Sequence, residues 1–256
     1  MTVRPPNHLK GLLAECKPAL GYWLSTNSLM VTEMAAGAGW DWVLLDMEHS
    51  LYDVETVERH LLAARHANSP TEFAVRIPSI DPVLVKRLID AGVHSFMFPF
   101  VQTVEEAKLA VAATRYPPDG IRGFSGTTRA TRYGRDASYL STYADDICVI
   151  IQIETPQAVA NIPAYGEIAG IDAMLIGAND LAASMGHLGD TRHPDVMSAV
   201  ESAGRAIIAT SKAAGFQFFD ERAERLLGQG FTLAAVAGDI HTLTMGMNAH
   251  LARLRR

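Results

Sequence analysis

Short runs of apolar and β-branched residues recur along the chain, and the segments between them carry apolar residues at helical spacing. The runs predict eight strands, over residues 20–24, 41–46, 73–77, 94–98, 147–153, 173–176, 215–219 and 233–238. Strands that alternate with helices are typical of an α/β protein with a parallel sheet, and eight such units in 256 residues predict a (β/α)8 TIM barrel. A doubly wound open sheet is the alternative. It is disfavoured because no Gly-x-Gly-x-x-Gly follows the first strand.

Capping signals mark where several helices begin and end. Asp81, followed by a proline, predicts an N-cap, and Gly92 predicts the end of the same helix. Asp53 opens a second helix, and Thr103 with the glutamate three residues later resembles a capping box. Residues 241–256 predict a C-terminal helix that takes part in oligomer contacts.

The chain contains no linker, low-complexity tract or repeat, so residues 1–256 are predicted to form one domain. Residues 116–146 are too long for an ordinary helix-to-strand connection and carry four arginines among glycines and threonines. Such a stretch is either a functional loop or a segment that packs on another subunit. We favour the subunit contact.

Composition narrows the class of protein. Hydrophobic residues make up 48% and charged residues 20%, a balance typical of a globular protein with a sizeable core. A net charge of −6 without a basic stripe argues against nucleic acid as a partner. No apolar run approaches the ~20 residues that cross a bilayer, and residues 1–8 lack the apolar core of a signal peptide. We therefore expect no membrane association and a cytoplasmic location.

Polar motifs follow three of the predicted strands at the points where the strands end. They are Asp46-Met47-Glu48-His49, Gln152-Ile153-Glu154 and Gly177-Ala178-Asn179-Asp180. Parallel sheets with helical crossovers gather catalytic groups at the C-terminal edge of the strands. The sequence therefore predicts an enzyme.

Glu154 and Asp180 end the fifth and sixth predicted strands, which are neighbours in a barrel. Two carboxylates without clustered histidine or cysteine suit a hard, oxygen-binding divalent ion, Mg²⁺ or Mn²⁺, with Co²⁺ as a further choice. The structural alternative is that Glu154 pairs with an arginine and that Asp180 caps the helix after it. Together, at adjacent strand ends, the two carboxylates favour a metal site.

Three further residues are predicted to face the same barrel mouth. His49 titrates near neutral pH and can act as an acid or base, although a histidine in a polar loop is usually solvated. Arg76 ends the third strand and could hold a carboxylate or a developing oxyanion; the alternative is a salt bridge to Asp46 or Glu48. Trp23, near the end of the first strand, is either core or pocket wall.

A Schiff-base mechanism is disfavoured because none of the five lysines lies at the C-terminal end of a predicted strand.

In combination these motifs resemble the HpcH/HpaI aldolases, the metal-dependent pyruvate aldolases. The resemblance rests on Gly21-Tyr22-Trp23-Leu24, the Ala-Gly-Ala-Gly-Trp-Asp-Trp run at 36–42, Asp46-Met47-Glu48-His49, Arg76, Tyr116-Pro117-Pro118-Asp119-Gly120-Ile121-Arg122-Gly123, Gln152-Ile153-Glu154-Thr155 and Gly177-Ala178-Asn179-Asp180-Leu181. It covers nearly the whole chain in order. It implies a (β/α)8 barrel, often a hexamer built as a trimer of dimers with interfacial active sites, that reversibly cleaves 4-hydroxy-2-oxo acids to pyruvate and an aldehyde.

The resemblance also implies roles for individual residues. Glu154 and Asp180 match the metal ligands, His49 the acid/base and Arg76 the pyruvate-binding arginine. Asp90 matches an aspartate that works with the histidine. Because Asp90 is predicted at the end of a helix, away from the mouth of its own barrel, it could reach an active site only in a neighbouring subunit. The resemblance further implies that substrate is bound by Trp23, Gln152, Gly177, Asn179 and Asp180. Additional candidates for the site are Asp46, Glu48 and Arg122.

Two other functions remain open from the sequence. A lyase or decarboxylase could use the same metal and enolate chemistry on oxaloacetate or an acyl-CoA ester, and only the arginines at 122–135 could bind the nucleotide phosphates. The second is a catalytically inactive barrel that serves as a binding protein.

Ala178 stands where the family commonly has proline, and residues 215–219 are bulkier than the corresponding strand of the family usually is. The aldehyde preference of a relative therefore cannot be transferred.

Overall fold

In the computed structural model, which describes residues 6–255, eight parallel strands close into a barrel in the order β1 to β8. The strands are β1 Ala19–Leu24, β2 Trp42–Asp46, β3 Glu72–Arg76, β4 Ser95–Phe98, β5 Cys148–Ile153, β6 Ala173–Ile176, β7 Ala213–Gln217 and β8 Leu233–Gly238. The barrel closes where β1 pairs with β8. The predicted TIM barrel is confirmed, and each strand lies within two residues of its predicted bounds.

Helices connect successive strands around the outside of the barrel. They are α2 Leu29–Gly37, α3 Val54–Ala64, α4 Pro82–Ala91, α5 Val104–Ala113, α6 Tyr139–Asp146, α7 Pro156–Gly166, α8 Ala178–Ser184, α9 Pro194–Ala209 and α10 Arg222–Gly228. Helix α1, His8–Ala14, precedes β1 and packs on the interior core, and α11, Asp239–Leu254, follows β8. The predicted C-terminal helix is α11, which begins two residues earlier than expected. Arg256, the last residue of that prediction, lies outside the described residues.

The predicted capping signals are confirmed. The side chain of Asp81 accepts hydrogen bonds from two backbone N–H groups at the start of α4, and Gly92 ends that helix at φ 104°, where glycine has no steric penalty. Asp53 caps α3. Thr103 and Glu106 form a complete capping box at α5, since the side chain of each residue accepts a hydrogen bond from the backbone N–H of the other.

Alternate residues of each strand face opposite sides of the barrel wall and produce two hydrophobic cores. Val43 and Leu45 of β2 pack outward against the helices, whereas Trp42 and Leu44 fill the barrel interior. Gly21 on the neighbouring strand makes room for the Trp42 indole, because a Cβ there would lie 2.1 Å from the ring. On β2, β3 and β5 the inward-facing series continues to the C-terminal end of the strand, where Asp46, Arg76 and Gln152 replace apolar residues.

The long stretch at 116–146 packs back on its own barrel. Its last eight residues form α6, a helix that the sequence did not predict. Arg122 is fully buried in this segment, where it donates hydrogen bonds to the hydroxyl of Tyr139 and to Asp90, each at 2.8 Å. The loop also exposes Ile121 and Phe124. Its predicted role in subunit contact stays a prediction.

Within residues 6–255, none of the helices combines the length and the apolar character that a bilayer-crossing segment requires.

His60 of α3 is a buried titratable group whose hydrogen bonds connect the loops after β1 and β2 to the surrounding helices. Its Nδ1 lies 2.6 Å from the hydroxyl of Thr32, and its Nε2 lies 2.9 Å from the side-chain carbonyl of Asn27. Asn27 in turn donates to the backbone carbonyl of Leu51. Burial lowers the pKa of His60 to about 4.

This pKa predicts that the protein loses stability in mildly acidic solution. Because the pKa of the folded state lies below the usual value of 6.5, the unfolded chain takes up the proton first as pH falls. The contribution of His60 is complete above pH 6.5 and is lost between 6.5 and about 4. We expect the free energy of unfolding, measured with urea at pH 7.5 and 5.0, to fall more steeply in the wild type than in His60→Gln. Equal pH dependence in the two proteins would contradict the prediction.

Candidate active site

A cavity of about 410 Å³ opens at the C-terminal ends of the strands. Of the residues that the sequence singled out, it is lined by Trp23, Asp46, His49, Arg76, Gln152, Glu154, Gly177, Asn179 and Asp180. Glu48, Asp90 and Arg122 are not among the lining residues. The structure therefore brings the predicted metal ligands, acid/base and anion-binding arginine to one site.

Side-chain alternation explains why these residues meet. Ala74 of β3 and Ile150 of β5 belong to the barrel interior, so Arg76 and Gln152, two residues further on, point to the same axis. The same step leads from Leu44 to Asp46 on β2. Each polar residue is the next member of an inward-facing series, placed where the barrel opens to solvent.

Arg76 is held in place by three neighbours. Its Nε and Nη2 donate to the two carboxylate oxygens of Asp46 at 2.9 and 2.7 Å, and its Nη1 lies 2.9 Å from Glu48. Its guanidinium lies 4.8 Å from the centre of the Trp23 ring. The salt bridges considered as the structural alternative are present, to both acids. They fix the guanidinium plane at the cavity wall rather than remove it from the site.

Asp46 also organises the loop that carries His49. Its Oδ1 accepts hydrogen bonds from the backbone N–H groups of Glu48 and His49, and its Oδ2 accepts one from the indole of Trp23. Burial raises the pKa of Asp46, but the bonds from Arg76 outweigh it and hold that pKa below its usual value. Asp46 therefore stays ionised and links Arg76, Trp23 and the His49 loop.

His49 itself is two-thirds exposed, with 67% of its side chain accessible. Its Nε2 lies 3.9 Å from a carboxylate oxygen of Glu48. The ring is therefore free to meet a substrate at the cavity mouth, with a carboxylate nearby.

The carboxylate of Glu154 is buried, and hydrogen bonds to both of its oxygens fix its orientation. One carboxylate oxygen accepts the backbone N–H of Phe100 at 2.8 Å, and the other accepts the side-chain amide of Gln152 at 2.9 Å. Burial raises the pKa of Glu154 to about 7, and the negative charges of Asp180 and Glu48 add to the rise. The alternative in which Glu154 pairs with an arginine finds no support in its hydrogen bonds.

Asp180 is not the N-cap of the helix that follows it, contrary to the structural alternative. That helix is α8, its N-cap is Gly177, and Asp180 lies in its first turn. The first turn brings the carboxylate into the cavity beside Glu154, close enough to raise the pKa of both Glu154 and Glu48.

The donor set fits a hard divalent cation. Glu154 and Asp180 place two carboxylates side by side at the cavity, whereas the charge of the lining cation Arg76 is already paired with Asp46 and Glu48. The Oε1 of Gln152 is buried and has no hydrogen-bond partner in the described part of the chain. Carboxylate and carbonyl oxygens with unsatisfied capacity are what Mg²⁺ or Mn²⁺ requires. Glu154 and Asp180 would hold the ion, and Gln152 lies beside them.

Asp90 and Arg122 form a separate pair outside this cavity. The carboxylate of Asp90 accepts a hydrogen bond from Arg122 at 2.8 Å, and the Arg122 guanidinium lies 4.4 Å from the ring centre of Tyr116. Asp90, two residues before Gly92, is therefore held in an ion pair. Its position agrees with the expectation that it cannot reach the mouth of its own barrel.

Sequence reasoning did not assign the wall formed by β7, β8 and the start of α11. This wall contributes Gln217, Phe219, Asp239, Ile240 and His241, and Ser25 follows β1 beside it. Asp239 is buried and accepts hydrogen bonds from the backbone of Ser25, Thr26 and Ile240. The strand-end rule applied also to β7 and β8 would have found most of these residues.

Comparisons with known proteins agree with the fold and identify related proteins. Residues 19–245 match the sequence profile described as HpcH/HpaI aldolase/citrate lyase. The chain is 44% identical over 251 residues to a pyruvate aldolase of Rhizobium etli, covering 97% of this chain and 98% of that one. It is 42% identical over 249 residues to a 4-hydroxy-2-oxo-heptane-1,7-dioate aldolase of Klebsiella pneumoniae, with 96% and 93% covered. A crystal structure of an HpcH/HpaI aldolase/citrate lyase family protein from Burkholderia cenocepacia superposes with a TM-score of 0.94 at 38% identity, covering 98% and 100%.

Proposed function

Because the chain belongs to the HpcH/HpaI aldolase/citrate lyase family, we propose that it is a metal-dependent aldolase that cleaves 4-hydroxy-2-oxo acids to pyruvate and an aldehyde. The observation that supports this most directly is the shared cavity, in which Glu154 and Asp180 face Arg76 and His49. The relatives named above are aldolases, which agrees with carbon–carbon lyase chemistry.

The metal ion, Mg²⁺ or Mn²⁺ held by Glu154 and Asp180, supplies a Lewis acid for the keto oxygen of the substrate. Arg76, at the end of β3, contributes a fixed positive charge to the same cavity. Since its Nε and Nη2 are bound to Asp46, the guanidinium does not need to reorganise as negative charge develops on the keto oxygen. Fixed donors of this kind typically lower a barrier by a few kcal/mol.

His49 is proposed to move the proton. It removes the proton of the C4 hydroxyl while the C3–C4 bond breaks, which releases the aldehyde and leaves the electron pair on the pyruvate enolate. Proton delivery to C3 then gives pyruvate, and the reverse sequence forms the bond. The exposed ring and the adjacent Glu48 suit a group that must both accept and return a proton. We propose that Asp90 of a second copy supports His49.

The aldehyde half is proposed to lie against the β7–β8–β1 side of the cavity. The pyruvate half uses residues of β3, β5 and β6, and His49 follows β2. The remaining sector offers the amide of Gln217 and the imidazole of His241, whose ring centre lies 5.4 Å from that of Phe219. This wall therefore contains the residues expected to set aldehyde preference.

Pyruvate labelling tests the enolate chemistry without any assumption about the aldehyde. With Mg²⁺ or Mn²⁺ present, we expect the protein to exchange the methyl protons of pyruvate for deuterium in D₂O, followed by NMR. After treatment with a chelator the exchange should fall to the uncatalysed rate, and added ion should restore it. Exchange that continues undiminished without a divalent ion would exclude the proposed mechanism.

Release of pyruvate from 4-hydroxy-2-oxo acids then tests the aldolase itself. Exchange without aldol cleavage, accompanied by decarboxylation of oxaloacetate or release of a thioester product, would instead identify the lyase or decarboxylase alternative.

We further propose that a second copy of the chain covers α11. This helix has only Asp239 buried, and it carries an exposed apolar stripe at spacings of three and four residues. The stripe consists of Ile240, Leu243, Met247, Leu251 and Leu254. An uncovered stripe of this length is costly in water, so a partner is expected. Assembly as a trimer of dimers would be one arrangement that satisfies it.

Charges placed on the stripe should therefore weaken assembly. We expect Leu243→Glu combined with Leu251→Glu to reduce the mass measured by analytical ultracentrifugation to that of a smaller species. Ala249→Glu places the same charge on the opposite face of α11 and should leave the mass unchanged. A stripe variant with the mass of the wild type would show that this helix face is not the interface.

A further inference from the structure

Two histidines and an aspartate cluster in the connection from α8 to α9, a part of the molecule that the proposed mechanism does not use. His187 and His193 stack with ring centres 3.6 Å apart and planes inclined by 17°. One carboxylate oxygen of Asp195 lies 3.9 Å from Nε2 of His187 and 3.8 Å from Nδ1 of His193. One donor atom from each residue lies within 4.8 Å of the others.

These separations are close to those of a bound transition metal. Zinc binds imidazole nitrogen and carboxylate oxygen at about 2.0–2.2 Å, which places two ligands of a tetrahedron roughly 3.4 Å apart. The two distances to the Asp195 oxygen would each have to shorten by about half an ångström, and the nearly parallel rings would have to turn so that their in-plane lone pairs converge on the ion. The connection permits this, because Gly186 and Gly189 flank His187 at positive φ and the side chains are not enclosed.

The hydrogen bond made by His193 shows which of its ring nitrogens is available to a cation. Its Nδ1 accepts a hydrogen bond from the backbone N–H of Asp195 at 3.2 Å, so this nitrogen carries a lone pair in the neutral ring. A cation would replace that N–H as the partner of Nδ1. The released N–H lies at the exposed first turn of α9, where water can satisfy it.

The charges around the cluster have opposing effects on the binding of a cation. The N-terminus of α9 carries partial positive charge, which disfavours a cation. The carboxylate of Asp195, in the first turn of that helix, offsets this charge. The stacked imidazoles supply two nitrogen donors, which distinguishes the cluster from the all-oxygen site at Glu154 and Asp180.

We infer that His187, His193 and Asp195 form a second metal site, which takes a borderline cation such as Zn²⁺ with water as the remaining ligand. Nitrogen donors favour Zn²⁺ over Mg²⁺. The bound ion would tie the end of α8 to the start of α9. Arg192 of the same connection already bonds to Asp220, the residue after Phe219 of the cavity wall. This inference does not depend on the proposed aldolase function.

Zinc titration in the presence of excess Mg²⁺ tests the inference on the whole protein. The double variant Glu154→Gln/Asp180→Asn removes the carboxylates of the proposed catalytic site, so that zinc bound at that site does not contribute to the measured zinc per chain. We expect this double variant to retain one zinc per chain after equilibrium dialysis and elemental analysis. Adding His187→Gln should weaken that binding at least tenfold, since one of three protein ligands is lost.

His66→Gln, which alters an exposed histidine elsewhere, is the matched control and should leave the zinc content unchanged. Ring-proton NMR signals of His187 and His193 should shift on zinc addition and not on Mg²⁺ addition. Absence of bound zinc in the double variant, or equal zinc affinity with and without His187, would overturn the inference.

Discussion

Replacing Glu154 by glutamine is expected to lower kcat/KM for aldol cleavage by about 10³-fold or more, roughly 4 kcal/mol in barrier height. Glutamine has nearly the same shape, so the barrel should remain folded. The amide, however, cannot supply the negative charge that a divalent ion requires at this position. Divalent-ion binding, followed by calorimetry, should weaken in parallel with activity.

The same substitution should stabilise the metal-free protein in neutral and alkaline solution. The pKa of Glu154 in the folded chain, about 7, lies above its usual value of 4.5, so the folded state holds a proton that the unfolded chain has already released. The resulting loss of stability begins as pH rises above 4.5 and is complete above 7. Glutamine removes this cost, which is on the order of 1–3 kcal/mol.

Hydrogen bonding also tolerates the amide. Its carbonyl can still accept the N–H of Phe100, and its NH₂ group can donate to the Oε1 of Gln152 once the Gln152 amide, whose Nε2 faces Glu154 in the wild type, turns over. In the wild type, added metal ion should raise the melting temperature, whereas it should have little effect on Glu154→Gln. Glu33→Gln, an exposed glutamate on α2, is the control for loss of a negative charge. Full activity in Glu154→Gln would exclude Glu154 as a metal ligand.

Much of this site follows from sequence because it obeys a simple rule. The inward-facing series of a strand ends in the cavity, and Trp23, Asp46, Arg76 and Gln152 are each the last or next-to-last member of such a series. Gln217 follows the same rule, since it lies four residues after the inward-facing Ala213 on β7. It was not predicted because β7 does not end in a charged residue.

Other features could not be predicted because they depend on contacts distant in sequence. The burial of Arg122 is set by Asp90 and Tyr139, 32 and 17 residues away, without any periodic signal. The sequence likewise could not say whether Arg76 would pair with Asp46 or Glu48; the geometry of the loop after β2 allows both. Helix α6 was missed because glycines and threonines precede it and no side chain caps it.

Gly177→Ala is expected to disable the site without removing any functional group. A Cβ at this position would lie 2.3 Å from Oε1 of Glu154 and 2.6 Å from its Cγ, closer than atoms can approach. The backbone is not the obstacle, since Gly177 has φ −84°, a value that alanine adopts without strain. The glutamate must therefore move, and it can do so only by leaving Gln152 and the N–H of Phe100.

We expect metal affinity and kcat/KM to fall about 100-fold in Gly177→Ala, because a ligand displaced by about an ångström loses its alignment with the substrate. Overpacking should also lower the free energy of unfolding by about 1–3 kcal/mol. Gly228→Ala, where nothing lies within 4 Å of the new methyl group, should have neither effect.

A double variant separates steric displacement from general damage. Glu154→Asp withdraws the carboxylate by one methylene, so in the Gly177→Ala background it should restore part of the lost stability, a non-additive effect that a global disturbance of β6 would not produce. Wild-type metal affinity in Gly177→Ala would mean that the Glu154 carboxylate can adopt a second position compatible with binding. The requirement for glycine at the end of β6 would then be a matter of packing and not of ligand geometry.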